Sequence, residues 1–430
     1  MNKVITAFTK NKEVKNAGWI IAGKVSQLLL SLAVSIFTAR YLGPGNYGLI
    51  NYASAFVIFF TSFCTLGINS VIIKNFVDYP KEQGTAIGSA IIARMISSFL
   101  SVLLIFGIVS FTDRGDVESI SVVLLCSFSL LFQPFDIIVY WFQNRYESKV
   151  TALVSFLAYV LTTLYKIMLL VLNKGIKWFA LATCMDYFAI AILLIIAYKM
   201  HGGPNLHFSF DKCKQLLSKS QHYILSGMMI AIYGQTDKFM LKHMLDEASV
   251  GYYSLASTIN NMWVFVLAAI IDSVYPTILR LYADRNMEAY NRKNRQLYAI
   301  VIYVSAAVAL LFTLFGKTLI GVFYGNAYIP SYQPLKYIVW YTVFSYLGVA
   351  RNAWIVCENK QKYLKYLYLA AAVVNILLNY LFIPVWGATG AAFASFVTQF
   401  LTAIVLPFLI KPLRSNVKLM ADAFLLRKIR

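Results

Sequence analysis

Residues 37–48 read FTARYLGPGNYG and join two long apolar stretches. About 20 mostly apolar residues precede Arg40, and a second apolar run follows the turn made of Gly43, Pro44 and Gly45. A helix of about 20 apolar residues is long enough to cross ~30 Å of hydrocarbon. The stretch therefore predicts two transmembrane helices joined by a tight turn, with a full positive charge beside the turn.

The composition of the whole chain agrees with a membrane protein. Of the 430 residues, 60% are hydrophobic and only 13% are charged, with a mean hydropathy of +0.67. A soluble domain carries about a quarter of charged residues. We predict an all-α integral membrane protein with about 12 transmembrane helices, centred on residues 17–39, 47–68, 86–110, 118–141, 150–172, 178–198, 221–241, 250–274, 297–320, 334–356, 365–384 and 388–410.

The net charge of +20 has a topological explanation. With both termini placed in the cytoplasm, the cytoplasmic loops and termini hold 26 of the 38 Lys and Arg residues, whereas the outer loops hold five. Cytoplasmic loops of membrane proteins collect Lys and Arg. The charge therefore orients the chain, and we expect no nucleic-acid partner.

Two halves with traces of repetition are visible in the chain. We predict an N-terminal six-helix lobe over residues 1–200, a cytoplasmic linker over 201–220, and a C-terminal six-helix lobe over 221–430. A G-x4-A-x-A pattern begins at Gly175 and again at Gly387, and Gly48 with Ala53 matches Gly251 with Ala256. Because six spans is an even number, the halves would be parallel repeats around a central cavity.

Charged residues lie within or at the edges of the predicted spans. A charge at mid-bilayer costs at least about 2.5–3.5 kcal/mol, so these side chains must reach headgroups, pair, or line a wet cavity. Seven are basic and four are acidic: Lys24, Arg40, Arg94, Lys166, Lys238, Lys336 and Arg351, with Asp136, Asp186, Asp237 and Asp272.

Position within the spans selects the candidates for function. Lys24 and Gln27 share one helix face, which predicts either a cavity lining or a helix-packing hydrogen-bond network. Lys238 and Asp237 either form an internal ion pair or have a functional role. In the functional role Lys238 meets an anionic group of a ligand, while Asp237 holds Lys238 or takes up a proton. Asp186 and Lys166 are further candidates for the cavity or for ion coupling.

The patterns that catalysis requires are missing from the sequence. The spans hold no set of nucleophile, His and acid, and the chain has no CxxC, HExxH or Walker pattern. We predict no catalytic residue, no metal site and no cofactor, and therefore a protein that is not an enzyme.

Five motifs follow one another along the chain. They are ARYLGPGNYGLINYA (39–53), WFQNRYESK (141–149), DKFML with VGYYSLA (237–241, 250–256), FYGNAYIPS (323–331) and NILLNYLFIPVWGATGAAFAS (375–395). In this order they resemble the motifs of polysaccharide repeat-unit flippases of the O-antigen and capsule type. These flippases belong to the multidrug/oligosaccharidyl-lipid/polysaccharide exporter superfamily.

The resemblance implies two lobes that face each other across a cationic cavity in the bacterial cytoplasmic membrane. It also implies a substrate: an undecaprenyl-diphosphate-linked oligosaccharide, moved to the outer leaflet by alternating access for surface polysaccharide biosynthesis. Membrane lipid and other polysaccharide-assembly proteins are the implied partners. In related peptidoglycan-precursor flippases an arginine in the same Ala-Arg-x-x-Gly context lines the cavity, and this role carries over to Arg40. We add Lys24 and Lys238 to the predicted substrate-binding residues because of their positions within the predicted spans.

Three other functions compete with this interpretation. A multidrug cation antiporter of the same superfamily would need an acidic cavity, and here the intramembrane bases outnumber the acids. A membrane-bound polysaccharide polymerase or ligase would need a long outer loop, which the predicted topology lacks. A peptidoglycan-precursor flippase often carries two further spans.

Overall fold

A computed structural model describes residues 12–428, apart from the side chains of residues 12–29, 222, 225, 226 and 230. The described part of the chain is helical and contains no strand. It divides into two compact units. Unit 1 comprises the chain up to Leu42 and Leu49–Gln235, and unit 2 comprises Gly43–Gly48 and Thr236–Arg430. The predicted lobe boundaries at residues 200 and 221 remain a prediction.

Between residues 12 and 209, seven helices precede the one that belongs to both units. They are α1 (Lys12–Cys64), α2 (Asn69–Asp78), α3 (Gln83–Thr112), α4 (Val117–Ser127), α5 (Ile137–Asn144), α6 (Ser148–Val171) and α7 (Ile176–Met200). The next helix, α8 (Phe210–Met244), contributes to both units. The core of unit 1 gathers apolar side chains of α2, α3, α5 and α7 around Trp141.

The described part of unit 2, up to residue 428, adds seven further helices. They are α9 (Glu247–Ala283), α10 (Met287–Tyr324), α11 (Tyr332–Cys357), α12 (Leu364–Trp386), α13 (Ala388–Phe400), α14 (Leu406–Leu409) and α15 (Arg414–Phe424). A core around Tyr290, Tyr298 and Trp354 joins α9, α10 and α11 to α15.

Nine helices among the described residues are long and apolar enough to cross a membrane. The first of these, Leu30–Asp78, covers the second predicted span and residues 30–39 of the first. The predicted seventh and tenth spans fall within α8 and α11, which are not among the nine. The chain is a multi-pass membrane protein, and the number of twelve spans remains a prediction.

The turn at residues 43–45 interrupts α1, as the sequence predicted. Gly43 has φ 71° and ψ 172°, a conformation that favours glycine because it lacks a Cβ. The segment from Gly43 to Gly48 packs on the start of α9 within unit 2. A Cβ at Gly48 would lie 1.7 Å from the Glu247 carbonyl oxygen, and one at Gly251 would lie 2.1 Å from that of Pro44. The two glycines matched in the sequence therefore meet backbone to backbone.

Enlarging Gly251 is expected to destabilise the protein. The variant Gly251→Ala places a methyl group against the Pro44 carbonyl, and overpacking of this kind costs about 1–3 kcal/mol. The matched control is Gly348→Ala in α11, where a Cβ meets nothing within 4 Å. Thermal unfolding in detergent should show a lower Tm for Gly251→Ala and an unchanged or higher Tm for Gly348→Ala. Equal melting temperatures would contradict the close contact.

Two predicted spans differ from a continuous helix. The span predicted at 118–141 consists of α4, two 3₁₀ turns (Phe128–Leu131 and Gln133–Asp136) and α5. Pro134 lacks an N–H and cannot continue an α-helical ladder, which explains the break. The last predicted span consists of α13, a π turn at Leu401–Val405 and α14. Both breaks free main-chain carbonyl groups inside the membrane-spanning region.

The predicted linker at 201–220 is partly helical, because α8 begins at Phe210. The part of the linker before α8, and the first turn of α8, are bonded to other residues of unit 1. Tyr198 donates to the Pro204 carbonyl at 2.6 Å, and the amide of Ser209 donates to the hydroxyl of Ser89 at 3.0 Å. Lys212 forms an ion pair with Glu82 at 2.6 Å. These contacts attach the segment to the end of α7 and to the start of α3.

Candidate functional site

A buried polar cluster surrounds Asp237 in unit 2. The carboxylate accepts hydrogen bonds from Asn379 at 2.6 Å, from Ser395 at 2.7 Å and from the hydroxyl of Tyr253. Asn375 extends the cluster by donating to Ser395 at 3.2 Å and accepting from Asn379 at 3.1 Å. All five side chains are buried. The cluster ties α8 to α9, α12 and α13 through one carboxylate.

Asp237 is visible in the sequence as an acid within a predicted span, whereas its four partners in the cluster are not among the predicted site residues. Asn375 and Asn379 are one helical turn apart in the otherwise apolar run NILLN, so they face the same way. Two amides on one face of an apolar span predict a buried partner on another helix. That spacing was the available signal. Tyr253 and Ser395 lie in small-residue or aromatic contexts that carry no such signal.

Lys238 is half-buried beside this cluster. Both oxygens of Asp237 accept from other donors, and Lys238 makes no hydrogen bond or ion pair with any residue that the structure describes. Asp237 is still close enough to interact with it electrostatically. The hydrogen-bonded ion pair considered from the sequence is therefore not formed, and the ammonium group of Lys238 retains its donors for another partner.

Lys166 and Asp186 lie together in unit 1, as neighbours on α6 and α7. Asp186 accepts a hydrogen bond from Thr162 at 3.0 Å, and Lys166 follows Thr162 by one helical turn on the same face. Lys166 and Asp186 interact electrostatically, and Asp136 adds a second negative charge near Asp186. All three charged side chains are half-buried. Unit 1 thus contains a mixed-charge group within its helices.

The two most buried arginines bind main-chain carbonyls at the irregular helices. Arg94 donates to the Gln133 carbonyl at 3.2 Å, beside the break at Pro134, and to Asn69 at 3.3 Å. Arg351 donates to the carbonyls of Thr402 and Ala403, at 3.3 Å and 3.5 Å, in the π turn. Carbonyls released from a helical ladder need new donors in the membrane. These arginines therefore stabilise the breaks.

Arg40 is exposed and lies in unit 1, three residues before the break at Gly43. Its neighbour Tyr41 anchors this end of the helix. The Tyr41 hydroxyl donates to the Lys174 carbonyl at 3.1 Å, and its ring lies 5.6 Å from that of Phe179. Arg40 is thus held at the helix end beside the turn between α6 and α7.

Lys24 and Gln27 lie on α1, but their side chains fall outside the described residues. Their predicted roles stay predictions. The remaining candidates divide between the units, with Arg40, Lys166 and Asp186 in unit 1 and Asp237 and Lys238 in unit 2.

Several candidate residues are charged groups within membrane-spanning helices. Ionisable residues at such positions favour a role in substrate or ion pathways. The described residues contain no group of three or more His, Cys, Asp or Glu placed to hold a metal ion. The fold is that of a polytopic helical membrane protein, and its intramembrane charges are typical of transporters.

Comparison with known proteins identifies the family. The polysaccharide biosynthesis protein family matches residues 14–282, more than half of the chain, and the MatE family matches residues 223–381. The chain belongs to the polysaccharide biosynthesis protein family. It is 20% identical to the capsular polysaccharide biosynthesis protein CapF of Staphylococcus aureus over 91% of this chain and 97% of that one. It is also 20% identical to a putative O-antigen transporter of Shigella flexneri over 92% and 97% of the two chains.

Solved structures share the fold. The lipid II flippase MurJ in an inward closed conformation aligns with a TM-score of 0.71 at 16% identity, over 94% of this chain and 91% of that one. An inward-facing multidrug resistance MATE family transporter aligns with a TM-score of 0.68 at 16% identity, over 92% and 96%. The predicted all-α membrane fold of the multidrug/oligosaccharidyl-lipid/polysaccharide exporter superfamily is confirmed.

Proposed function

We propose that this protein is a flippase for lipid-linked oligosaccharide repeat units. It moves undecaprenyl-diphosphate-linked oligosaccharides from the inner to the outer leaflet of the bacterial cytoplasmic membrane for surface polysaccharide biosynthesis. Its role is transport, without chemistry on the glycan. Membership of the polysaccharide biosynthesis protein family is the observation that carries the proposal, and the relatives named for capsule and O-antigen support it.

The proposed substrate gives a role to two of the intramembrane cations, Lys238 and Arg40. A diphosphate is a strong anion, and Lys and Arg donate charge-assisted hydrogen bonds to phosphate oxygens. Lys238 keeps its donors because Asp237 accepts from other groups. In this proposal Lys238 and Arg40 contact the diphosphate during alternating access, with Lys24 and Gln27 as further contacts.

The acids Asp237 and Asp186, and the base Lys166 beside Asp186, have roles other than binding the diphosphate. The cluster around Asp237 fixes the stretch of α8 that carries Lys238. Asp186 and Lys166, whose charges lie within the helices of unit 1, are the candidates for ion coupling. Both termini lie in the cytoplasm, as the excess of Lys and Arg on that side favours. Other polysaccharide-assembly proteins would supply the substrate and receive the product.

Complementation tests the proposed function in cells. A bacterium that lacks its own repeat-unit flippase traps lipid-linked units inside and loses surface polymer. Expression of this chain should restore the polymer and release the trapped units, in at least one strain of a panel with different repeat units. Expression at the membrane without rescue in any strain would contradict the proposal.

A multidrug cation antiporter is the second candidate, because the MatE family matches residues 223–381 and MATE transporters share the fold. The two candidates differ in the sign of the substrate's charge. The same cells should be challenged with ethidium. Resistance to ethidium without restored polymer would favour the antiporter, and restored polymer without resistance would favour the flippase.

Replacing Arg40 is expected to reduce polymer export. Arg40→Ala removes a guanidinium that can bind a phosphate with two parallel hydrogen bonds, and loss of a charged hydrogen bond costs about 1.5–3 kcal/mol. Surface polymer should fall while the level of membrane-inserted protein stays normal. The matched control is Arg114→Ala, an exposed arginine between α3 and α4. Full export by Arg40→Ala at normal expression would sink this assignment.

A further inference from the structure

The C-terminal helix α15 is amphipathic and docks on α10 within unit 2. Its buried face includes Asn416, Leu419 and Met420. Asn416 donates to the hydroxyl of Tyr298 at 2.7 Å, and the hydroxyl of Tyr303 donates to the Phe424 carbonyl at 2.7 Å. These contacts fix α15 along one short stretch of α10.

The level of α15 relative to the membrane follows from the sequence of α10. Residues 287–296 read MEAYNRKNRQ and are polar, whereas the rest of α10 from residue 297 is largely apolar. Tyr298 and Tyr303 lie where the polar part gives way to the apolar part. An amphipathic helix at such a boundary lies in the interface between hydrocarbon and headgroups. We therefore place α15 at the membrane surface.

An apolar groove of about 380 Å³ opens beside α15. The groove lies between α10, α11, the end of the last span and α15, and all its lining side chains are apolar or aromatic. Ala306 lines it from α10, Trp340 and Phe344 from α11, and Ala421 and Phe424 from α15. Ile404 lines it from the π turn, whose irregular backbone Arg351 stabilises. The groove thus runs from the interfacial helix into the apolar part of unit 2.

Two basic side chains stand at one edge of this groove. Arg414 and Lys418 are exposed and one helical turn apart, and each precedes a groove-lining residue, Val417 or Ala421, by three positions. Arg414 donates through Nε to the Phe408 carbonyl at 2.7 Å, and its guanidinium lies 5.7 Å from the centre of the Phe408 ring. Its terminal nitrogens make no hydrogen bond with the described residues. Lys418 has no hydrogen bond or ion pair with the rest of the described chain. The nearby carboxylate of Asp422 faces Arg295 at 3.9 Å.

We propose that this groove is a binding site for an anionic phospholipid of the surrounding membrane. An acyl chain fills the apolar groove, and Arg414 and Lys418 bind the headgroup phosphate and its negative charge. A basic cluster at the membrane surface attracts anionic lipids, and the groove adds a fixed place for the tail. The site is separate from the proposed path of the transported substrate, because none of Arg40, Lys166, Asp186, Asp237 or Lys238 lines the groove.

Photocrosslinking of lipids tests the site in the full chain. The protein is placed in nanodiscs of phosphatidylcholine with a trace of phosphatidylglycerol that carries a diazirine on its acyl chain. A phosphatidylcholine probe with the same diazirine serves as the comparison. Peptide mapping should place the phosphatidylglycerol adducts on residues 340–347 and 417–424, at roughly tenfold the yield of the phosphatidylcholine probe.

Two variants test the binding of the acyl chain and the binding of the headgroup separately. Ala421→Phe fills the groove from an exposed position and should abolish adducts from both probes. The double variant Arg414→Gln with Lys418→Gln should remove the preference for phosphatidylglycerol, whereas the control Lys362→Gln with Lys365→Gln should retain it. Lys362 and Lys365 are exposed bases of the same unit that do not border the groove. Equal labelling by both probes in the unaltered protein, or labelling unaffected by Ala421→Phe, would overturn the proposal.

Discussion

The variant Asp237→Asn is expected to be less stable than the unaltered protein by about 3 kcal/mol or more, because it breaks a buried network at its charged member. Asp237 accepts from Asn379, Ser395 and Tyr253. An amide at position 237 keeps the shape but turns an NH₂ group toward other donors. Thermal unfolding of the purified protein in detergent should show a clearly lower Tm.

A charge swap tests whether Asp237 anchors the neighbouring helices through its hydrogen bonds. The alternative is that any substitution at position 237 disturbs the packing. In the double variant Asp237→Asn with Asn379→Asp, the carboxylate and the amide exchange places and one hydrogen bond between them is retained. We expect this variant to recover part of the lost stability. Asp272→Asn is the matched control, because Asp272 is exposed and its loss should leave the Tm unchanged. An Asp237→Asn protein as stable as the control would refute the anchoring role.

The second large effect is expected from Lys238→Gln. Transport of the lipid-linked oligosaccharide should fall by roughly tenfold to a hundredfold, because a hydrogen bond to a charged group contributes about 1.5–3 kcal/mol. The Tm should fall less than in Asp237→Asn, since Lys238 makes no hydrogen bond with the described residues and loses only its electrostatic interaction with Asp237. Flipping rates of the purified variant in proteoliposomes measure the first effect, and thermal unfolding measures the second.

Two further substitutions make the Lys238 result specific. Lys238→Arg keeps the positive charge and should retain most of the activity. Lys336→Gln removes another half-buried lysine of unit 2, one that lies over the ring of Tyr332 at 5.2 Å, and should transport normally. A loss in Lys336→Gln as large as in Lys238→Gln would show that any intramembrane charge of unit 2 matters equally. The assignment of Lys238 to the substrate would then fail.

Local sequence patterns predicted the features that depend on neighbours along the chain. Gly43 and Pro44 predicted the interruption of α1, because only glycine takes the observed φ without strain and proline cannot continue the ladder. Apolar length and the Lys/Arg distribution predicted a helical membrane protein, and the motif order predicted its family. Each of these predictions is confirmed.

Features that depend on contacts between distant helices were harder to predict. The position of Arg94 or Arg351 alone cannot reveal that its partners are carbonyls freed at Pro134 and at the π turn. The partners of Asp237 lie up to 158 residues away, on three other helices. A sequence without aligned relatives shows which residues are polar within a span, but the fold decides which of them meet.

The proposed flippase function is tested by measuring flipping with the purified protein in liposomes. Unilamellar liposomes carry a trace of labelled undecaprenyl-diphosphate oligosaccharide, with a panel of short glycans, and an impermeant glycosidase reports the fraction in the outer leaflet. We expect the inner-leaflet fraction to become accessible with the unaltered protein, and more slowly with Lys238→Gln or Arg40→Ala. If the folded protein leaves that fraction as protected as protein-free liposomes do, for every glycan tested, the protein is not a flippase for these substrates.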